Sequence, residues 1–236
     1  MLAETVLPMT NQLMEKLPLA ERNRTMDCCE QVELFFGDIL CEPDQAIAHV
    51  YFPQDSFISL LATVEGHEPL EMGLIGSEGM LGVTTILGEG TAPLRAMVQG
   101  TGMALRMTIA AFRQALQDSP ELQRILHLYL YVQMKQLSQT AACTHFHFIE
   151  KRLARWLLMT HDRAHSDHFH LTHAFLAGML GVRRSAVTIA AGSLQKKNLI
   201  AYSRGEITVL DRKGLEAASC ECYQIVRTTY ARLFDA

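Results

Sequence analysis

Apolar and polar residues alternate along this chain in three different rhythms. Residues 10–30, "TNQLMEKLPLAERNRTMDCCE", have helical spacing, divided by a turn at Leu17-Pro18. From Val32 to about Thr108 the apolar residues come instead in short stretches, "AHVYF", "FISLLATV", "LEMGLI", "AMVQ" and "GMALRMTI". Glycine- and proline-bearing turns separate them, and "EGHEP" reads as a hairpin connection. Several short strands without intervening helices predict an antiparallel sandwich or barrel.

The helical period returns with "FRQALQDSPELQRILHLYLYVQMKQLSQTAACTHF", in which Ser119-Pro120 makes a natural helix start. Leu122, Ile125, Leu126, Tyr129, Val132, Gln133, Gln136 and Leu137 follow three/four spacing, while Leu128, Leu130, Tyr131 and Met134 occupy the other sides. A helix apolar nearly all round must be covered on more than one side. One face packs on the barrel, and the other predicts a second copy of the chain, hence a homodimer. After a break near residue 148, "IEKRLARWLLMTHDRA" is helical again and leads into the polar, histidine-rich "HSDHFH".

The third rhythm fills residues 171–210, "LTHAFLAGMLGVRRSAVTIAAGSLQKKNLIAYSRGEITVL". Thr172 stands where a helix N-cap would, and Phe175, Leu176 and Leu180 share one side of the helix that follows. Ala177 leaves room for a crossing helix, Gly181 suits a left-handed corner, and Val182 plugs that corner. Val187, Ala190, Ala191 and Leu194 then give a second helix its inward face. The opposite face opens with Arg183, Arg184 and Ser185 and continues through Thr188 and Ile189. Ile200 and Tyr202, then Ile207 and Val209, alternate around a turn at Ser203–Glu206 and form a hairpin wing with Arg204 near its tip. Lys196 and Lys197 close the second helix. Arginine pairs with guanine N7 and O6, and the hydroxyls and lysines suit phosphates. A helical pair that merely solvates its arginines is the bland alternative. The corner, basic first turn and wing occur together, which favours a DNA-reading winged helix.

Charge sharpens this picture. The 236 residues are 49% hydrophobic and 19% charged, with a net charge of −4. That total splits into −9 over residues 1–149 and +5 over residues 150–236, which suits a polyanionic partner for the back part. The longest apolar run falls far short of a membrane span. The start, "MLAETVLPMTNQLMEKLP", lacks the pattern of a secretory signal, so a cytoplasmic location is expected.

Barrel, long helix and winged helix, in this order and at this length, resemble the cyclic-AMP receptor protein / fumarate–nitrate regulator (Crp/Fnr) family of bacterial transcription factors. The resemblance covers most of the chain and is strongest over "FRQALQDSPELQ", "EKRLARWLL" and "LTHAFLAGMLGVRRSAVTIAAGSLQKKNLI". It implies an α+β fold in three parts. Residues 1–118 would be a cyclic-nucleotide-binding-like double-stranded β-helix (jelly roll) that senses an effector. Residues 119–148 would be a dimerisation helix, and residues 149–236 a winged helix-turn-helix. The partners implied are double-stranded DNA with a palindromic operator, a second copy of the chain, and RNA polymerase; no enzymatic activity is implied. Arg184 takes the position of the family's main base-reading arginine, with Arg183, Ser185 and Thr188 beside it. Ile189 stands where a further basic residue is common.

The effector cassette departs from the family. Its Gly-Glu-Leu-Gly core reads Gly79-Met80-Leu81-Gly82 here, so methionine replaces the glutamate that holds a ribose hydroxyl. Its Arg-Ser pair reads Arg95-Ala96, and the two hydroxyl residues that meet adenine correspond to Leu137 and Ser138. Methionine cannot accept a ribose hydroxyl as a carboxylate does. The expectation is therefore no certain cofactor, but an unidentified small-molecule or nucleotide effector other than cyclic AMP. Gly79, Met80, Leu81, Arg95, Ala96, Leu137 and Ser138 are its candidate site.

Other chemistry recedes. His161, His165, His168, His170 and His173 crowd one stretch with Asp162 and Asp167, and His161/His165 have metal-ligand spacing. The stretch bridges two elements, so a solvated loop without metal is expected. The six cysteines, Cys28, Cys29, Cys41, Cys143, Cys220 and Cys222, form no pair of Cys-x-x-Cys motifs and read as reduced thiols. An iron–sulfur or redox sensor of the same fold needs four placed thiolates, which Cys28, Cys29 and Cys41 do not supply. A cupin-like ligand-binding or enzymatic barrel is the other alternative. It needs a metal or catalytic cluster, for which the barrel offers only the scattered His49 and His67.

Overall fold

The computed structural model describes residues 10–234. The stretch 1–9, on which the expectation about a secretory signal partly rests, lies outside the described residues.

Two short helices open the described chain, α1 (Gln12–Glu15) and α2 (Leu19–Asp27), with Pro18 between them. Asn11 caps α1 by accepting from the N–H groups of Leu13 and Met14. Its amide also donates to the carbonyls of Pro53 (2.9 Å) and Gly79 (2.8 Å), which fixes the helix to the barrel.

The barrel consists of β1 (Glu30–Leu34), β2 (Ile39–Cys41), β3 (His49–Pro53), β4 (Phe57–Ala62), β5 (Leu70–Ile75), β6 (Arg95–Gly100) and β7 (Gly102–Thr108). A short 3₁₀ turn over Val83–Leu87 precedes β6. The strands form two antiparallel sheets, ordered β1-β7-β3 and β2-β6-β4-β5. Side chains alternate across each strand, so Tyr51, Ile58, Leu60, Ile75, Ala96, Val98 and Ala104 meet between the sheets. On β3 and β7 the other face is also apolar. Val50, Phe52, Leu105 and Met107 pack on Leu13, Met14, Phe112, Leu122, Ile125 and Leu126 of the covering helices. This is why β3 reads as a continuous apolar run rather than as an alternation.

Those covering helices include α3 (Ile109–Asp118) and α4 (Pro120–Phe146). Ser119 caps α4 with its hydroxyl (3.0 Å to the Leu122 N–H), and Pro120 occupies the first turn, where its missing N–H has no intrahelical use. The inward set expected from spacing is buried: Leu122, Ile125, Leu126, Tyr129, Val132, Gln133 and Gln136. Leu137 is only half-buried. On the other sides, Tyr131 and Met134 are exposed, whereas Leu128 and Leu130 are half-covered by the chain itself.

After a break at 147–148, α5 (Ile149–Ala164), β8 (His168–His170), α6 (His173–Leu180), α7 (Arg184–Lys196), β9 (Ile200–Ser203), β10 (Glu206–Val209) and α8 (Arg212–Ala218) share a second core. Leu153, Trp156, Leu157, Leu176, Leu180, Val187, Leu194, Ile200 and Ile207 are its centre. The core continues into Phe57, Leu61 and Leu74 of the barrel, so the two units are packed together. Two features depart from the sequence expectations. The "HSDHFH" stretch is not all loop, because residues 168–170 add β8 to the wing in the order β8-β10-β9. Beyond the wing, α8 and a last helix, α9 (Cys222–Phe234), return the chain to α4. Among the described residues no single helix is long and apolar enough to cross a membrane.

Candidate nucleic-acid interface and effector cavity

Helices α6 and α7 meet at 107°. Thr172 caps α6 by accepting from the Phe175 N–H (3.1 Å). Gly181 ends it at φ +62°, a left-handed conformation that strains any residue with a Cβ. A Cβ there would also lie 2.8 Å from the Leu70 Cδ1 of β5 and push that side-chain tip aside, but it is the left-handed corner that favours glycine. Val187, Ala190, Ala191 and Leu194 hold α7 against the core, and this burial turns its other face to solvent.

On that face Arg183, Arg184, Ser185, Thr188 and Ile189 are exposed together, as the spacing predicts. Arg183 is the N-cap residue and makes no side-chain cap. The first-turn N–H groups of α7 therefore point outward beside two guanidiniums, an arrangement suited to an anion. The Thr188 hydroxyl donates to the Arg184 carbonyl (3.1 Å) and accepts from His173 Nδ1 (3.0 Å). The His173 ring stacks on Tyr202 of the wing at 4.1 Å. Burial, with the charge of Arg184 behind it, lowers the His173 pKa and keeps the imidazole neutral. One histidine thus joins α6, α7 and the wing.

The wing turns through Arg204 and Gly205, both at positive φ (53° and 88°), between the paired residues Ser203 and Glu206. Arg204 is exposed at the tip, and Lys196 is exposed at the end of α7. Lys197 differs from expectation: its ammonium lies 2.5 Å from a Glu150 carboxylate oxygen on α5. That contact holds the Glu150 carboxyl below its ordinary range. The side chain expected to meet phosphate is engaged within the protein.

The candidate effector residues separate into two groups. Gly79 gives way to the Tyr129 ring, where a Cβ would sit 2.1 Å from the phenolic oxygen, and Met80 and Ala96 are wholly buried in packing. Arg95 is held by Glu42 at 2.7 Å, so its charge is already compensated. Ser138 is exposed on α4. Only Leu81 and Leu137 line the cavity that the barrel does contain, a space of about 270 Å³ between the 3₁₀ turn and α4. Its other walls include Leu40, Ile47, Leu60, Val83, Leu130 and Met134, with His49, Thr84 and Gln133 as its main polar side chains. The cyclic-nucleotide cassette is thus no anion cradle here, because its polar residues are replaced or already paired.

The histidine-rich stretch does not converge on one centre. His161 meets Asp167 (2.6 Å) and Arg212, while His168 and His170 both meet Glu206 (2.8 and 2.6 Å). His49 lines the cavity, and His67 lies in the exposed turn between β4 and β5. Two further relationships lie outside the sequence expectations. Glu78 and Arg163 pair across the barrel and α5, and Cys143, His147, Cys220 and Cys222 come together beside α9.

Residues 151–218 match the Crp-like helix-turn-helix domain. No curated protein matches the chain by sequence. Several solved structures share its fold. FixK2 from Bradyrhizobium japonicum is 12% identical, with a TM-score of 0.69 over 81% of this chain and 98% of its own. A Crp/Fnr-family transcriptional regulator from Thermus thermophilus is 21% identical, with a TM-score of 0.66 over 83% and 98%. A protein from Eubacterium rectale, described as a regulator of that family, is 16% identical, with a TM-score of 0.68 over 90% and 97%. Identities this low speak to fold, whereas the domain match speaks to the unit built on the 107° corner. Residues 151–218 thus match the Crp-like helix-turn-helix domain, and the whole chain shares its fold with solved structures that include Crp/Fnr-family regulators.

Proposed function

We propose that this protein is a homodimeric, sequence-specific DNA-binding transcription regulator of the cytoplasm whose barrel senses a small apolar effector. The observation that carries the DNA reading is the exposed cluster of Arg183, Arg184 and Ser185 on the outer end of α7, flanked by Arg204 on the wing. Arg184 reads a base edge, Arg183, Ser185 and Thr188 line the groove, and Lys196 and Arg204 meet phosphates. Lys197 contributes only when Glu150 releases it.

Dimerisation rests on α4. His127, Tyr131, Met134, Ser138, Ala141 and His145 are exposed along one stripe at alternating steps of four and three, the spacing of a two-helix seam. Residues 1–118, 119–148 and 149–236 then act as sensor, seam and reader, with RNA polymerase as the downstream partner.

The cavity connects sensor and seam. Leu130, Met134 and Leu137 line it from α4, and Met134 is also on the exposed stripe. A ligand seated there changes the packing of the seam, and so the separation of the two readers. Cyclic AMP fits poorly, since among the described residues no arginine or lysine lines the cavity and Arg95 is paired with Glu42. An uncharged, largely apolar molecule fits its walls.

Selection of bound sequences from random duplex DNA tests this reading. A two-fold site with half-sites about 34 Å apart is expected. Absence of any enriched sequence at low salt, with and without small-molecule cell extract, would overturn it.

A further inference from the structure

Outside the interface and the cavity, the described residues hold one group of side chains able to take a metal. Cys143 and His147 are one turn apart at the carboxyl end of α4. There the His147 N–H still donates to the Cys143 carbonyl (3.1 Å), while the His147 backbone turns to φ −109°, ψ 138°. Cys220 lies in the turn between α8 and α9 and Cys222 opens α9; the turn closes by a bond from the Tyr223 N–H to the Cys220 carbonyl (3.1 Å). The docking of α9 on α4 brings the two pairs together.

Their donor atoms lie within 4.8 Å of one another. The Cys143 and Cys220 sulfurs are 3.5 Å apart, and Cys222 Sγ is 3.4 Å from His147 Nδ1. In a tetrahedral site with metal–sulfur bonds of about 2.3 Å and metal–nitrogen bonds of about 2.0 Å, these edges would be roughly 3.8 and 3.5 Å. These two edges are within a few tenths of an ångström of that arrangement, and the remaining donor pairs, all within 4.8 Å, close onto one centre by small side-chain rotations.

The histidine is oriented for this role. Glu221 places a carboxylate oxygen 3.2 Å from His147 Nε2, which fixes the proton on Nε2 and leaves the Nδ1 lone pair facing the sulfurs. The three thiols are buried, with no other buried apolar residue in their cluster. Arg152 and Arg155 are buried nearby, and the Arg155 Nε has no hydrogen-bond partner among the described residues. Three thiolates, one neutral imidazole and a divalent ion sum to a single negative charge, which these guanidiniums neutralise.

We propose that Cys143, His147, Cys220 and Cys222 bind one zinc-class divalent ion, a closed structural site that locks α9 to the end of the long helix. Four protein ligands leave no open position, so the ion acts as a clamp and not as a catalyst. It fixes the joint from which the helix-turn-helix unit departs. Mixed sulfur and nitrogen ligation selects zinc or cobalt over magnesium or calcium.

The test uses the full-length, untagged chain, purified without chelator under anaerobic reducing conditions. About one zinc per chain is expected by native mass spectrometry and elemental analysis. Cobalt loaded in its place should give tetrahedral visible bands with sulfur-to-metal charge transfer. Cys143→Ser should abolish those bands, while Cys28→Ser and Cys41→Ser should leave them intact. Should Cys143→Ser fail to fold, Glu221→Gln carries the test, since Glu221 is exposed at the surface. That variant should bind cobalt about tenfold more weakly. Metal-free protein without cobalt bands overturns the proposal, as does unchanged cobalt affinity in Glu221→Gln. So does a metal-free chain lighter by two hydrogens, which would mark a Cys143–Cys220 disulfide instead. Metal content is read without DNA, so this result stands apart from the regulator reading.

Discussion

Glu78 and Arg163 form an ion pair at 2.5 Å between the barrel loop that leads into Gly79 and the first helix of the reader unit. Both are largely buried, with side-chain exposures of 24% and 11%. Arg163 also donates to the Met159 carbonyl at 2.8 Å, so the guanidinium is fixed on α5 while it reaches across. The link lies beside an apolar junction of Phe57, Leu61, Leu74 and Leu153. Such a pair adds little net stability but strongly penalises the loss of one member.

Arg163→Met should therefore destabilise the chain by about 3–5 kcal/mol, because Glu78 is left buried and uncompensated. The double replacement Glu78→Gln, Arg163→Met should cost clearly less than Arg163→Met alone. Urea denaturation of the parent, both single variants and the double gives the coupling directly. If the cost of the double equals the sum of the two single costs, the pair is not coupled.

The three cations on the reader should behave differently. Arg184→Ala is expected to lose about 1–3 kcal/mol of affinity for the selected operator and to relax the preference at one base position. Lys196→Ala should weaken all sequences alike and reduce the salt slope by about one. Lys197→Ala should change that slope less, since its ammonium is held by Glu150. Fluorescence anisotropy over a range of salt concentrations separates the three. Equal binding of the operator by Arg184→Ala and the parent would remove its assigned role.

The helix-turn-helix corner and the wing were legible in the sequence because local rules govern them. Gly181 alone satisfies a left-handed corner, Thr172 caps, and Val187, Ala190, Ala191 and Leu194 mark a buried stripe. The barrel was legible as short strands, although β3 loses its alternation by being buried on both faces. What escaped depends on contacts between distant segments. Lys197 meets Glu150, and Arg95 meets Glu42, because folding brings α5 to α7 and β2 to β6. Neither pair has a periodicity to betray it. The Cys143–Cys222 cluster was hidden for the same reason: two ordinary pairs become four neighbours only when α9 returns to α4. The one-turn spacing of Cys143 and His147 was the available signal, and it marks only two of the four residues.

The exposed stripe on α4 yields a prediction about assembly. Met134 is 59% exposed and Tyr131 49%, which is unusual for large apolar side chains at the middle of a long helix. In the two-fold seam proposed above, each residue faces its own copy or a near neighbour. Met134→Glu then places two carboxylates against each other across the axis. A penalty of about 3 kcal/mol is expected, a dimer weakened more than a hundredfold. Sedimentation velocity should show monomer where the parent shows dimer, with the fold intact by circular dichroism. Unchanged mass would direct the seam to another face.

Glu71 provides a stability switch whose direction follows from its surroundings. It is only 7% exposed, on β5, and accepts from the Ser59 hydroxyl at 2.8 Å. Burial raises its pKa to about 7, against the opposing influence of Ser59 and of the Arg155 and Arg163 charges. In the unfolded chain the same carboxyl titrates near 4.5. Between these values the native state holds a proton that the unfolded state has released. Stability must then fall as pH rises through that window. The contribution is full below about pH 4.5 and lost above about pH 7, at 1.36 kcal/mol for each pH unit crossed, or roughly 3 kcal/mol in all. Glu71→Gln keeps the shape and an acceptor for Ser59 but cannot ionise. Relative to the parent, the variant should gain stability steadily from pH 5 to pH 7.5 and level off beyond. Denaturant melts of both proteins across that range read the difference free of every other titrating group. A constant difference would mean that Glu71 is already ionised in the fold, with Arg155 or Arg163 outweighing its burial.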